Sequence, residues 1–170
     1  MTEEKTHKFQ EKMQAEMTYE QYFQSLYMGT VELARAFEKA IGKEKAQEIT
    51  KKAAEEAGVR GIKQLVSMKP IENFEDFKLM IKGTNASPLM SHVLTVSYTG
   101  EEPKKLSCKI TECLWAKVFK EMNAADLGYI ICCNPDFATA KAYHPNIKLK
   151  RTKTLMQGDD YCDHIYYWEE

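Results

Sequence analysis

At SHVLTVSY, residues 91–98, the spacing of apolar residues changes from helical to alternating, and we call these residues the deciding stretch. Its even-numbered residues, from His92 to Tyr98, are expected to share one face of an extended strand. Upstream, apolar residues recur at three- and four-residue steps, and downstream they form short alternating segments. The sequence therefore predicts an α+β fold, in which N-terminal helices pack on a small, mainly antiparallel sheet with inserted helices.

The first helical segment covers residues 8–41 and reads either as one long amphipathic helix or as two abutting helices that end at Gly42. One face carries apolar residues at helical spacing: Tyr22, Phe23, Leu26, Leu33, Ala34, Phe37 and Ile41. Burial of this face in the protein's own core is the simpler interpretation. Contact with a partner subunit, which includes a homo-oligomer, is the alternative.

Two further helices precede the deciding stretch. One is predicted over residues 43–57, with Gly58 and Gly61 marking a break before a short continuation that ends at Pro70. The other is predicted over residues 72–81, and the sequence KGTNASP ends it.

Beyond the deciding stretch, the turn TGEEPK leads to a second strand over residues 105–110, and the pattern becomes helical near Cys113. A pair of short helices is predicted over residues 124–143. The segments 146–156 and 161–168 alternate again and are predicted to pair as strands through the turn QGDD.

Composition sets limits on function: hydrophobic residues make up 44% and charged residues 29%, and the formal net charge is −1. This balance gives no electrostatic reason to expect nucleic acid or an anionic membrane as a partner. The first residues are polar, and no apolar run approaches the ~18 residues of a membrane span, so we expect a cytoplasmic protein. Residues 1–170 are expected to form a single domain, with a helical half over 1–84 and a mixed half over 85–170 that carries the candidate site.

The last strand contains the first candidate site. Alternation places Cys162 and His164 on one face, roughly 6–7 Å apart at the backbone, close enough to reach one substrate or one metal. Packing within the core is the alternative for both residues.

Three residues from other segments are expected to join them. Cys113 lies near the start of a helix, where the partial positive charge lowers a thiol pKa. Cys133 lies beside Asp136 in the sequence CCNPD. Because two adjacent residues of a helix do not face the same way, we expect Cys133 rather than Cys132 to reach a shared site.

The chain has five cysteines without CxxC spacing, which read as free thiols, metal ligands or a nucleophile. Cys113, Cys133 and Cys162, with an imidazole or a carboxylate, would suit zinc or iron. Arg151 is a candidate for binding a substrate carboxylate. Asp159 either joins the site or caps the turn after Gly158.

The order of motifs in the second half carries a resemblance. CLW at residues 113–115, DLGYIICCNPD at 126–136 and HPNIKLKRTKTLMQGDDYCDH at 144–164 resemble the L-2-amino-thiazoline-4-carboxylic acid hydrolase family. The chain is also distantly similar to 4-vinyl-reductase-like small-molecule-binding domains. The resemblance covers residues 85–168, and Gly-Asp-x-x-Cys-Asp is its most specific piece.

The resemblance implies hydrolysis of a cyclic amidine, in which a thiazoline ring opens to give N-carbamoyl-cysteine. The residues that match the family pattern are Cys113, Cys133, Asp136, Gly158, Asp159, Cys162 and Asp163. His164 departs from the pattern, where an aromatic residue is typical. We expect the three cysteines to converge on one pocket, with a thiolate as nucleophile or a metal that activates water, and with Asp136 or His164 moving protons. A sensor or carrier that binds a small molecule or a metal without catalysis is the alternative.

Overall fold

The computed structural model describes residues 16–169, so the part of the first predicted helix over residues 8–15 lies outside the described chain. The helices in this part are α1 (Tyr19–Ile41), α2 (Lys43–Met68), α3 (Phe74–Asn85), α4 (Met90–Val93), α5 (Leu114–Glu121), α6 (Ala125–Gly128) and α7 (Pro135–Tyr143). A π-helical turn (Tyr129–Cys133) joins α6 to α7, and a 3-10 turn (Leu155–Gln157) precedes the last strand.

Four strands form one antiparallel sheet in the order β1-β2-β4-β3. They are β1 (Leu94–Glu102), β2 (Lys105–Cys113), β3 (Ile147–Lys150) and β4 (Cys162–Trp168). Helices pack on this sheet, and the predicted α+β fold is confirmed.

The helices α1 and α2 form a hairpin. A capping box between Thr18 and Gln21 fixes the start of α1, so the helix begins at Tyr19 and residues 16–18 precede it. Gly42 ends α1 as predicted, with a φ of +88° that favours glycine, and α2 starts at the next residue.

The predicted break in α2 is wrong, because the helix runs unbroken from Lys43 to Met68. Gly58 lies where α2 packs against α7, and a Cβ there would stand 2.9 Å from Thr139 Cγ2. The glycine permits close approach between two helices, which local sequence does not distinguish from a helix stop.

The deciding stretch was predicted to be a single strand, but the structure divides it between a helix and a strand. Residues 91–93 belong to α4, β1 starts at Leu94, and this strand continues to Glu102 through most of the predicted turn. His92 therefore does not lie in the strand, and its ring stacks on Tyr19 with centroids 4.7 Å apart. Val93 is buried in a small apolar cluster, as an apolar strand residue would be.

Of the seven residues of the apolar face of α1, only two are buried as the simpler interpretation of the sequence predicted. Phe23 and Ala34 are 3% and 5% exposed, and they pack in the core. The other five residues of the face are 42–58% exposed: Tyr22, Leu26, Leu33, Phe37 and Ile41. Among the described helices, none combines the length and the apolar character that crossing a membrane requires.

Candidate functional site

A cavity of about 330 Å³ lies among α1, the start of α5, the π-helical turn and β4. It is lined by six of the seven site residues predicted from sequence: Cys113, Cys133, Asp136, Arg151, Cys162 and His164. We call this cavity the thiol pocket. Its volume is in the range of small-molecule sites.

Strand geometry explains how the sheet supplies the pocket. Cys162 and His164 alternate with Asp163 along β4, and both side chains line the pocket. Cys162 pairs with Ile110 of β2, and β2 ends at Cys113, which is also the N-cap of α5. The Cys113 thiol accepts a hydrogen bond from the backbone N–H of Ala116, in the first turn of α5.

The π-helical turn supplies the opposite wall. The Asn134 N–H donates to the Tyr129 carbonyl at 2.7 Å, five residues back, so the chain makes a wide turn there. Both Cys132 and Cys133 line the pocket, and the prediction that only Cys133 does so is wrong. In this wide turn, two adjacent side chains can border the same cavity.

A buried ion pair forms the polar side of the pocket. Arg151 Nη1 lies 2.6 Å from Asp136 Oδ2, and Nη2 donates to the Cys133 carbonyl at 3.0 Å. The Arg151 side chain is 2% exposed, whereas that of Asp136 is 34% exposed and borders the pocket. Within the described chain, no hydrogen bond reaches Asp136 Oδ1, so this oxygen can receive a ligand.

Burial dominates the ionisation of these groups. It raises the pKa of Asp136 to about 6, and the nearby Arg151 charge limits the rise. Burial also raises the pKa of the Cys113 thiol to about 11 and that of Cys133 to about 12. The pKa of Cys162 is raised by less, because the Leu155 N–H donates to its Sγ at 3.2 Å and the Arg151 charge favours the thiolate.

His164 is held as a neutral imidazole. Its Nε2 lies 3.4 Å from Arg151 Nη1, and since a guanidinium has only donors, Nε2 must accept. The Nδ1 atom then carries the proton and faces the Tyr166 hydroxyl at 3.3 Å. Burial and the Arg151 charge lower the pKa of His164 to about 4. These contacts suit a residue that orients Arg151 better than one that moves protons.

The residues present do not fit the predicted zinc or iron site. Across residues 16–169, no group of three or more His, Cys, Asp or Glu side chains is arranged to hold a metal ion.

Asp159 lies away from the thiol pocket. Its Oδ2 accepts a hydrogen bond from the Thr154 N–H at 2.7 Å, beside Gly158 at φ +102°. Asp163 likewise accepts from the N–H groups of residues 152 and 153. Cys162 Sγ accepts a hydrogen bond from the Leu155 N–H. The side chains of the Gly-Asp-x-x-Cys-Asp motif thus accept hydrogen bonds from four consecutive backbone N–H groups, those of residues 152–155.

Sequence reasoning missed part of the pocket wall. Tyr27 comes from α1, and its hydroxyl accepts a hydrogen bond from Trp115 Nε1 at 2.9 Å while facing the Cys132 thiol. No local pattern distinguishes Tyr27 from the other aromatic residues of α1. A second cavity of about 500 Å³ adjoins the pocket, and the two share Leu94 and Cys113 in their walls.

The fold and the pocket together define an α+β domain that encloses a small-molecule-sized cavity lined by thiols and an ion pair. The chain belongs to the L-2-amino-thiazoline-4-carboxylic acid hydrolase family, whose model matches residues 10–166. The match confirms the family resemblance and extends it from the second half into the helical half.

Solved structures share the fold. The phenol-responsive sensory domain of the transcription activator PoxR, solved with phenol, is 13% identical with a TM-score of 0.52; the match covers 82% of this chain and 73% of that domain. A trafficking protein particle complex subunit 3 from Naegleria fowleri, covalently bound to palmitic acid, is 11% identical with a TM-score of 0.50, covering 89% and 95%. At these identities the likeness shows the fold alone. Comparison with curated proteins gives no significant match.

Proposed function

We propose that the chain hydrolyses a small cyclic amidine of the 2-amino-thiazoline-4-carboxylate type, opening the ring at the carbon that bears the amino group. The observation that carries this proposal is the meeting of four thiols, an ion pair and an unbonded carboxylate oxygen in one cavity. The family to which the chain belongs supports the same reaction.

The ion pair complements a zwitterionic substrate. An amidine is basic and carries a positive charge near neutral pH, so it suits Asp136 Oδ1. The substrate carboxylate suits the guanidinium of Arg151, which has N–H donors beyond those bonded to Asp136, Cys133 and His164. Each charge of the substrate thereby meets its opposite within the buried pair.

The reaction then needs a nucleophile and a proton acceptor, which we assign to Cys162 and Asp136. Asp136 takes the Cys162 proton, the sulfur attacks the amidine carbon, and the ring C–S bond breaks as the leaving sulfur takes that proton. Water next attacks the same carbon and gives a proton to Asp136. Expulsion and reprotonation of Cys162 release N-carbamoyl-cysteine, with one water consumed.

Single substitutions test the assignment, with ring opening followed as release of the product thiol. We expect Cys162→Ser to abolish turnover and Asp136→Asn to lower kcat by ~10²–10⁴-fold. Cys108→Ala is the matched control, because Cys108 is buried outside the pocket, in another apolar cluster. Full activity in serine variants of all four pocket thiols, Cys113, Cys132, Cys133 and Cys162, would exclude thiol catalysis. Full activity in all four of these variants with an inactive Asp136→Asn would assign the attack to water.

One observation favours a second function, the binding of a small molecule without catalysis. Burial raises the pKa of every thiol in the pocket, so the free protein holds no preformed thiolate at neutral pH. The PoxR relative in the fold is a sensory domain solved with phenol. Calorimetric binding of the amidine without release of a product thiol would favour this function over hydrolysis.

A further inference from the structure

The exposed face of α1 forms a straight apolar line. Tyr22, Leu26, Leu33 and Phe37 lie within about 60° of one another around the helix axis, given 3.6 residues per turn. We call these four residues the α1 stripe. Each is 43–58% exposed, and a contiguous apolar surface of this kind marks an interaction site.

The middle of the stripe lacks side-chain bulk. Gly29 lies between Leu26 and Leu33 inside α1, where a glycine weakens the helix. A Cβ at Gly29 would meet no atom of the described chain within 4 Å, so packing in this fold does not explain the residue. A small residue there would instead let a second helix approach closely.

We propose that the α1 stripe pairs with the same stripe of a second copy of this chain, with the two α1 helices antiparallel. The stripe is symmetric about the midpoint between Gly29 and Thr30. A two-fold axis at that point places Leu26 against Leu33 of the second copy, and Tyr22 against Phe37 of the second copy. This self-complementarity is what an isologous dimer requires.

The available area is sufficient for a stable dimer. The stripe is flanked on the same side by Tyr19 and Ile41, which are 41% and 42% exposed. Large apolar side chains of this exposure leave roughly 100 Å² each to be buried. Together with the small residues between them, they offer roughly 600–800 Å² per copy, close to the ~800 Å² per partner of a standard interface.

The dimer would also fix the helix that reaches the thiol pocket. Tyr27 follows Leu26 of the α1 stripe but lies on the core side of α1, where it lines the thiol pocket and faces the Cys132 thiol. The pairing does not depend on whether the pocket is catalytic.

The test is the mass of the full chain in solution, measured by light scattering and sedimentation. We expect twice the 19.6 kDa of one chain. Leu33→Glu should raise the dimer dissociation constant by at least ~100-fold, because two charged groups would enter the interface. Leu79→Glu is the matched control, since Leu79 lies on α3 and is 65% exposed, and this variant should remain dimeric. Circular dichroism checks that both variants fold.

A cross-link tests the register independently. Gly29→Cys should give a disulfide-linked dimer under oxidation, whereas Gly83→Cys, at another open helical glycine, should not. A monomeric wild-type chain, a dimeric Leu33→Glu, or a dimer that Gly29→Cys fails to link would each overturn the proposal. The chain could instead prove to be a monomer in which removal of residues 1–15 speeds amide hydrogen exchange in α1. That result would mean that the stripe binds residues 1–15.

Discussion

Replacement of Arg151 by methionine tests the energetics of the pocket. The change removes the ion pair to Asp136 and the donor to the Cys133 carbonyl, while methionine fills much of the volume. Removing one partner of a buried ion pair costs ~3–5 kcal/mol, because the other charge stays buried. Asp136 is 34% exposed to the pocket, so we expect the lower end, ~3 kcal/mol of unfolding free energy at pH 8.

The loss should depend on pH with a defined sign. The pKa of Asp136 is about 6 in the folded wild type, above its ordinary value of 3.8. A carboxyl whose pKa is higher in the folded state contributes stability when protonated, and this contribution is lost as the pH rises from about 4 through 6. Without Arg151 the pKa of Asp136 rises further, so the pH range over which this stability is lost extends upward. Arg151→Met should therefore lose less stability at pH 5 than at pH 8.

Urea unfolding at both pH values measures these differences, and a second substitution isolates the pair. Arg151→Met combined with Asp136→Asn removes the stranded charge, so the double variant should be more stable at pH 8 than Arg151→Met alone. A loss below ~1 kcal/mol at pH 8, or the same loss at pH 5, would refute the view that Arg151 compensates a buried carboxylate.

Two other predictions concern helix packing and proton transfer. Gly61→Ala should stabilise the protein by ~0.5–1 kcal/mol, whereas Gly58→Ala should destabilise it by ~1–3 kcal/mol, because only at Gly58 would the new methyl crowd Thr139. Thermal unfolding of both variants checks this, and equal shifts would contradict it. If the proposed hydrolysis holds, kcat/KM should rise with pH through about 6, where Asp136 of the free protein ionises. His164→Gln should retain that rise, and a profile that loses it would make His164 the proton acceptor.

Local pattern was sufficient for the elements that depend on local contacts. The change of period predicted helices before the sheet, Gly42 marked the end of α1, and Cys113 was placed correctly at a strand-to-helix junction. Gly58 was misread because the helix it packs against, α7, lies far along the chain at Thr139, and a single sequence does not show which helix packs there. The start of β1 was misplaced because a buried valine in a short helix looks the same as one in a strand.

For the site too, the prediction that rested on local strand geometry was correct, whereas the residues that were missed depend on an irregular turn or a distant contact. Alternation along β4 correctly put Cys162 and His164 on the pocket side, since a strand fixes its two faces residue by residue. Cys132 was excluded on the assumption of a regular helix, and a π-helical turn is not visible in the spacing of apolar residues. Tyr27 was missed because its contact with Trp115 joins residues from opposite halves of the chain.

The charges in the pocket bear on how neutral thiols could become reactive. In the free protein Asp136 offsets part of the effect of the Arg151 charge on Cys162, and burial keeps the pKa of this thiol above its ordinary value. A bound amidinium would add a positive charge beside the sulfur and would also favour ionised Asp136. A neutral ligand such as a phenol would add no such charge. The pocket would therefore generate a thiolate only with a cationic substrate, which is the selectivity that a hydrolase of cyclic amidines needs.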